Sequence, residues 1–339
     1  MKPSLFLALF LSALPAFSQQ PVTVDETARF LAGLPVTGGL APLTQEAAWK
    51  SHAAAIDKAW AKKEAAQLGP IRGWMGAHAP QHQRSSAPMF YMFSGPDFLY
   101  ANTFFPNART YVLCGLEPVG QVPNLAALPP ASLYGELGAL RQSMSTIISF
   151  HYFITKDMRA ELTRGQLGGT LPILYVFLAR LGATVIDTNY VTSPAPGVKI
   201  TFNRGHGTQT LYYFKTDLSN GGGSGKFLNW CAAQGSGSSL LKAASYLMHG
   251  DGFSNVRRFL LENSRVLVQD DSGIPLRAFP KGWNVRMYGR YVQHSEMFGK
   301  YHQKDLQAIF ENNPPPPLGF AFGYHWQKDR GILMLGTRQ

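Results

Sequence analysis

The spacing of apolar residues changes several times along this chain, and each change predicts an element. Leu5–Leu14 form an unbroken apolar run of about ten residues, preceded by Lys2 and followed by the small-x-small pattern Ala16-Phe17-Ser18, which predicts a cleaved export signal over residues 1–18. The run is shorter than the roughly 20 residues a bilayer crossing needs, and no later stretch comes close. A mature chain that begins at Gln19 and carries no transmembrane segment is therefore expected. Position 19 is not Cys, so nothing there suggests a lipid anchor.

Helical spacing follows. Val24–Leu34 reads as a short helix, and Thr44 is placed to cap a longer one reaching about Gln67, in which Trp49, Ala53, Ile56 and Trp60 recur at steps of three and four. Gly69-Pro70 is expected to stop that helix. The segment up to Pro88 contains His78 and His82 without any period and reads as a surface loop. Residues 19–88 thus form a helical N-terminal segment and loop.

From Met89 the pattern becomes that of buried strands. Met89–Phe93 and Thr110–Cys114 are compact apolar runs, separated by the turn Ser94-Gly95-Pro96-Asp97 and a helical stretch over Phe98–Phe105. Strand, turn, short helix and strand suggest a β-α-β unit in a sheet covered on both faces. The shortness of that helix leaves the direction of pairing open. Ser132–Ile148, Thr155–Thr163, Leu171–Leu181, Lys226–Ala233, Leu240–Met248, Phe253–Glu262 and Tyr301–Phe310 read as helices, and Thr184–Asp187, Arg265–Gln269 and Val285–Tyr291 as strands. Val198–Asn203 and Thr210–Thr216 flank Arg204-Gly205-His206-Gly207 as a hairpin. A stiff spacer, Pro314–Pro317, leads to a closing hairpin of Phe320–Trp326 with Ile332–Gly336. The expected fold class is α/β, a mixed, mainly buried sheet flanked by helices over residues 89–339, forming one globular unit with the helical segment before it.

Composition supports a folded chain, with 45% hydrophobic and 15% charged residues. The formal net charge of +11 changes the picture more, because it points to an anionic partner such as a small molecule or an envelope polymer. Export would remove only Lys2 from that charge. The local basic clusters, Lys62-Lys63 and Arg257-Arg258, are small, and the remaining charge reads as scattered over the surface; no nucleic acid partner is expected. Cys114 and Cys231 can pair in an oxidising compartment or stay as buried thiols, and the apolar strand around Cys114 suits the second state.

Three groups of residues bear a resemblance. Phe90-Tyr91-Met92-Phe93-Ser94-Gly95-Pro96-Asp97, the turn Gly115-Leu116-Glu117-Pro118-Val119-Gly120, and Val268-Gln269-Asp270-Asp271-Ser272-Gly273-Ile274-Pro275 followed by Tyr288-Gly289-Arg290-Tyr291 resemble an uncharacterised family of exported bacterial proteins. That family has no established activity, so the resemblance implies export and assigns no catalytic residue.

The candidate chemistry sits where strands end. Ser94 and Gly95 stand where a buried strand hands over to a helix, a place suited to an anion, although Ser94 or Asp97 can equally be a helix cap. Asp97, Glu117 and Asp271 each follow a predicted strand; if those ends share one rim, they form an acidic cleft able to run acid–base chemistry or to hold a hard cation. Neighbouring residues of an extended chain face opposite ways, so only one of Asp270 and Asp271 is expected at a site. His206, between two glycines, and His249 are the better histidine candidates, and Arg290 beside Tyr288 and Tyr291 could hold a ligand. No histidine pair has zinc spacing. Asn220-Gly221-Gly222-Gly223-Ser224-Gly225-Lys226 imitates a phosphate loop, but Asn220 and Phe227 break the pattern. The sequence names no cofactor and no metal. Two functions remain, an exported binding or accessory protein for an anionic envelope ligand, and a periplasmic hydrolase using Asp97, Glu117 and Asp271, with or without a metal.

Overall fold

The computed structural model describes residues 21–145, 147–148, 162, 165–205, 207–292, 296–324 and 331–338. The expected signal, almost all of the helix at 155–163, Trp326 and His206 lie outside the described residues.

Among the described residues, nine strands form one sheet in the order β3-β4-β5-β2-β1-β6-β7-β9-β8. They are β1 (Met89–Tyr91), β2 (Thr110–Gly115), β3 (Thr184–Val191), β4 (Gly197–Asn203), β5 (Thr208–Lys215), β6 (Gly237–Leu241), β7 (Ser264–Gln269), β8 (Trp283–Gly289) and β9 (Ile332–Arg338). The five central strands, β5, β2, β1, β6 and β7, run parallel. An antiparallel hairpin of β3 and β4 extends one flank, and β9 and β8 extend the other. The result is an α/β fold with a large mixed sheet flanked by helices.

Alternation assigns the strand residues to two cores. Met89, Tyr91, Tyr111, Leu113, Leu211, Tyr213, Val266 and Val268 face one core, and Phe90, Val112, Cys114, Phe214, Leu241 and Leu267 face the other. Helices α1 (Val24–Leu31), α2 (Ala47–Lys63), α3 (Gly69–His78), α5 (Phe98–Phe104), α6 (Pro130–Ser145) and α7 (Leu171–Arg180) contribute to the first core, with the short α4 (Pro80–Gln83) following α3. Helices α8 (Gly225–Ala233) and α9 (Ser254–Asn263) cover the second, and α10 (Lys304–Asn312) packs by β8 and β9 through Leu306. With both faces covered, the central strands carry apolar residues on both sides, as the run Phe90-Tyr91 and the run Tyr111-Val112-Leu113-Cys114 show. The crossover from β1 to the parallel β2 carries only the seven residues of α5.

Four expectations need correction. Gly69-Pro70 does not end the long helix. Residues Glu64–Leu68 widen into a π-turn in which the Gly69 amide reaches the Glu64 carbonyl, and Pro70 opens α3 where its missing N–H costs nothing. The stretch read as a loop is therefore helical, with Ile71, Trp74 and Met75 buried. Thr44 does not cap α2; its hydroxyl donates to the Ala41 carbonyl, and Glu46 holds the cap position. Leu240–Met248 is not a helix: its first residues close β6, and a turn follows, because pairing with β1 and β7 overrides the helical preference of Leu, Lys and Ala. Ile332–Arg338 pairs with β7 and β8 on its two sides, and the turn of the expected closing hairpin, with Trp326, lies outside the described residues.

Cys114 and Cys231 are free thiols, both buried in the second core. Burial pushes the Cys114 thiol up to about 12, with the Glu117 charge adding to the rise, and burial raises Cys231 as well. Since the thiolate is the reactive form, a disulfide-exchange reagent at mild alkaline pH is expected to label neither cysteine in the native protein and both after denaturation. Rapid native labelling would contradict this placement.

Candidate functional site

In sequence order the parallel strands are β1, β2, β5, β6 and β7, whereas across the sheet they stand β5-β2-β1-β6-β7. The chain therefore winds outward from β1 in one direction and then restarts at β6 in the other. Beyond the carboxyl ends of such strands, at the point of reversal, α/β sheets form their ligand crevices. β1 ends into Met92–Asp97, β2 into Glu117, β6 into Lys242, β7 into Asp270-Asp271 and β8 into Arg290. Parallel direction thus puts Ser94, Gly95, Asp97, Glu117, Asp271 and Arg290 on one sheet edge. Three strand spacings, roughly 14 Å, separate the ends that carry Glu117 and Asp271.

At the reversal itself lies a buried ion pair. The Lys242 ammonium donates to Asp97 Oδ2 at 2.6 Å, with the two side chains 2% and 1% exposed. Asp97 also accepts from the Tyr91 hydroxyl at 3.1 Å and from the Tyr100 amide at 3.3 Å, so it caps α5 as well. The Lys242 Nζ stands 3.4 Å from the centre of the Tyr100 ring, a close cation–π contact. A second buried lysine adjoins this pair: Lys63 donates to Gln67 Oε1 at 2.8 Å, to the Tyr100 hydroxyl at 3.2 Å and to the Ile147 carbonyl at 3.0 Å. Burial lowers the pKa of both lysines; the neighbouring Lys242 charge lowers Lys63 further, whereas Asp97 works against the shift at Lys242. The free helix N-terminus expected at Ser94-Gly95 is thus already filled by Asp97.

Ser94 is fully buried. Its hydroxyl donates to the Gly95 carbonyl at 3.0 Å and accepts from the Cys114 amide at 3.2 Å, which ties the turn after β1 to the end of β2. Glu117 is 1% exposed and accepts from the Tyr213 hydroxyl through its backbone oxygen at 3.0 Å and its carboxylate at 3.2 Å.

Both aspartates after β7 are buried, and they meet different partners. Asp270 accepts from the Ala243 amide at 3.1 Å, the Ser272 amide at 3.2 Å and the Ser272 hydroxyl at 2.5 Å. Burial, and next the Asp271 charge, push its carboxyl up to about 7. Asp271 accepts from the Tyr246 hydroxyl at 3.1 Å. Its backbone oxygen lies 3.3 Å from His249 Nε2 and receives the Gln303 side-chain amide at 3.1 Å. Tyr246 lies flat against Tyr301, with centroids 5.0 Å apart and planes 3° from parallel, and His249 meets the Tyr246 ring edge-on at 5.2 Å.

Backbone strain gathers at the same place. The positive-φ residues other than glycine among those described are Phe93, Ala243, Ser245 and Tyr246, in the loops that leave β1 and β6. Non-glycine residues resist that conformation, and surroundings that enforce it are characteristic of functional sites. Gly323 adds a packing constraint, since its φ is +68° and a Cβ there would stand 1.9 Å from Asp270 Oδ2.

The chemistry that the sequence did not single out is Lys63 and Lys242. Lys63 was visible, because it continues the stripe of Trp49, Ile56 and Trp60 on α2 and so had to point inward. Lys242 gave no such signal once its segment read as helix.

Arg290 lines a cavity of about 810 Å³, together with Tyr291, His302, Gln307, Phe310 and Glu311. That volume suits a small molecule. Gln303 joins this cavity to the carboxylates, for its amide donates to the Tyr291 hydroxyl at 2.8 Å while its side chain reaches Asp271. Among the described residues, no three His, Cys, Asp or Glu side chains cluster so as to hold a metal ion. Nor is any helix there long and apolar enough to cross a membrane. Comparison of the chain with protein-family models, with curated proteins and with solved structures found no match.

Proposed function

We propose that the protein is an acid–base enzyme, a hydrolase working at the reversal point of the sheet, with Asp270 and Asp271 as its proton-handling pair. The observation that carries this reading is the pair itself: two adjacent buried carboxylates, one of them raised to about 7, against a turn of strained residues. Environments that separate two carboxylates supply an acid and a base together. Asp271, hydrogen-bonded to Tyr246, takes a proton from the attacking water, and protonated Asp270 returns one to the leaving group. The Arg290 cavity, one glutamine away, receives the substrate, and the guanidinium suits a substrate bearing a carboxylate or phosphate. Asp271 is 1% exposed, so the reading requires the aromatic stack built on Tyr246 to part when substrate arrives. The reading of residues 1–18 as an export signal supports an activity in the cell envelope.

Asp271→Asn is expected to lower kcat by about 100-fold on whichever chromogenic ester, amide, phosphate or glycoside the wild type turns over, with an unchanged circular dichroism spectrum. The wild-type rate should depend on a group titrating near neutrality. Equal rates for the folded variant and the wild type would refute the assignment of Asp271. If no substrate class is turned over while calorimetry detects an anion in the Arg290 cavity, the binding-protein reading replaces it; the strongly basic balance of the chain favours that second reading.

A further inference from the structure

A second cavity, about 520 Å³, runs along α9 and is lined by Arg257, Arg258, Lys281, Trp283, Arg338 and Glu262 among others. Trp283 opens β8 and Arg338 lies opposite it on β9, so the cavity meets the sheet at the edge away from Asp97 and Asp271. Four cations therefore converge on one groove with a single carboxylate. Of Glu262, Arg338 engages the backbone oxygen, at 2.6 Å. Arg258 donates to the side-chain oxygen of Asn255 at 3.1 Å. Arg257 donates to the carbonyl of Met248 at 2.6 Å, and its nearest carboxylate, the fully exposed Asp251, is 4.0 Å away. The buried indole N–H of Trp283 has no acceptor among the described residues.

Cations gathered with fewer carboxylates than charges repel one another, and the arrangement is relieved by an anion that bridges them. Guanidinium groups pair most strongly with oxyanions that accept two hydrogen bonds, and a groove rather than a flat surface concentrates the potential. We propose that this groove is a binding site for a phosphate-bearing ligand, independent of the acid–base site. Arg257-Arg258, the small basic cluster evident in the sequence, is its centre. Phosphate oxygens can come from a soluble phosphate compound or from a lipid headgroup.

Calorimetry with inorganic pyrophosphate, and co-sedimentation with phosphatidylcholine vesicles with and without phosphatidylglycerol, separate the two sources. The full chain is expected to bind at least one probe at low ionic strength. The exposed pair Arg258→Glu/Lys281→Glu should weaken that binding about tenfold or more. Lys58→Glu/Lys62→Glu on α2, with the same change in net charge, should weaken it far less. Binding of pyrophosphate alone assigns a soluble ligand, and binding of phosphatidylglycerol vesicles alone assigns a headgroup; both support the site. Binding of neither probe, or equal weakening by both double variants, overturns it. Arg258→Ala/Lys281→Ala serves as a milder second variant, with an intermediate loss expected, should charge reversal disturb folding.

Discussion

Lys242→Met is expected to remove about 3–5 kcal/mol of folding stability, measured by urea or guanidinium unfolding, because it leaves the Asp97 carboxylate buried without its counter-charge. The two side chains are 2% and 1% exposed, so water cannot take over the lost partner. The Tyr91 hydroxyl and the Tyr100 amide remain as donors, but neither carries charge. Asp97→Asn should have a comparable effect for the opposite reason, since it takes away the charge that the ammonium pairs with at 2.6 Å while keeping an oxygen to cap α5. The pair itself adds little net stability once desolvation is counted, so the double variant Asp97→Asn/Lys242→Met is expected to recover much of the loss. Single substitutions that each cost less than about 1 kcal/mol would mean that water or another group already solvates the pair.

The second large effect is a dependence of stability on pH traceable to Asp270. In the folded protein its carboxyl titrates at about 7, against 3.8 for an unperturbed one. At a pH below about 4 both folded and unfolded chains hold the proton, and this group contributes no pH dependence. Between about 4 and 7 the unfolded chain has released the proton that the native chain keeps. Native protein then binds more protons, so stability falls as pH rises through this window and levels off above it, by roughly 4 kcal/mol in total. The groups that face Asp270 are Asp271 on its own loop, Lys242 at the end of β6, Tyr91 on β1 and Tyr246 in the loop after β6. Asp270→Asn keeps an acceptor for Ala243 and abolishes the titration, so its unfolding free energy should change much less between pH 5 and pH 8. An identical slope in wild type and variant would show that the dependence arises elsewhere.

Much of the sheet was readable from the sequence because buried strands announce themselves by composition. Met89–Phe93, Thr110–Cys114, Arg265–Gln269 and the hairpin of Val198–Asn203 with Thr210–Thr216 all appear in the structure within one or two residues of the expected bounds. Their ends were visible for the same reason: an apolar run stops at Ser94-Gly95-Pro96-Asp97 or at Asp270-Asp271. β6 escaped because Ser238-Ser239-Leu240-Leu241 is buried on both faces and so shows no alternation, while the Lys-Ala-Ala after it has strong helical preference. Missing β6 hid Lys242, and with it the counter-charge of Asp97.

Taken alone, the amino-acid sequence determined which segments are apolar enough to be buried, where each one stops, and which polar residues stand at those stops, since these follow from local spacing and backbone preference. Only the tertiary structure decided which stops are neighbours. Lys242 and Asp97 are 145 positions apart and meet because β6 pairs with β1 rather than with β5, which precedes it in the chain. That choice depends on how all nine strands together cover their two faces, and a pairing settled by the whole sheet leaves no trace in the spacing of any single segment.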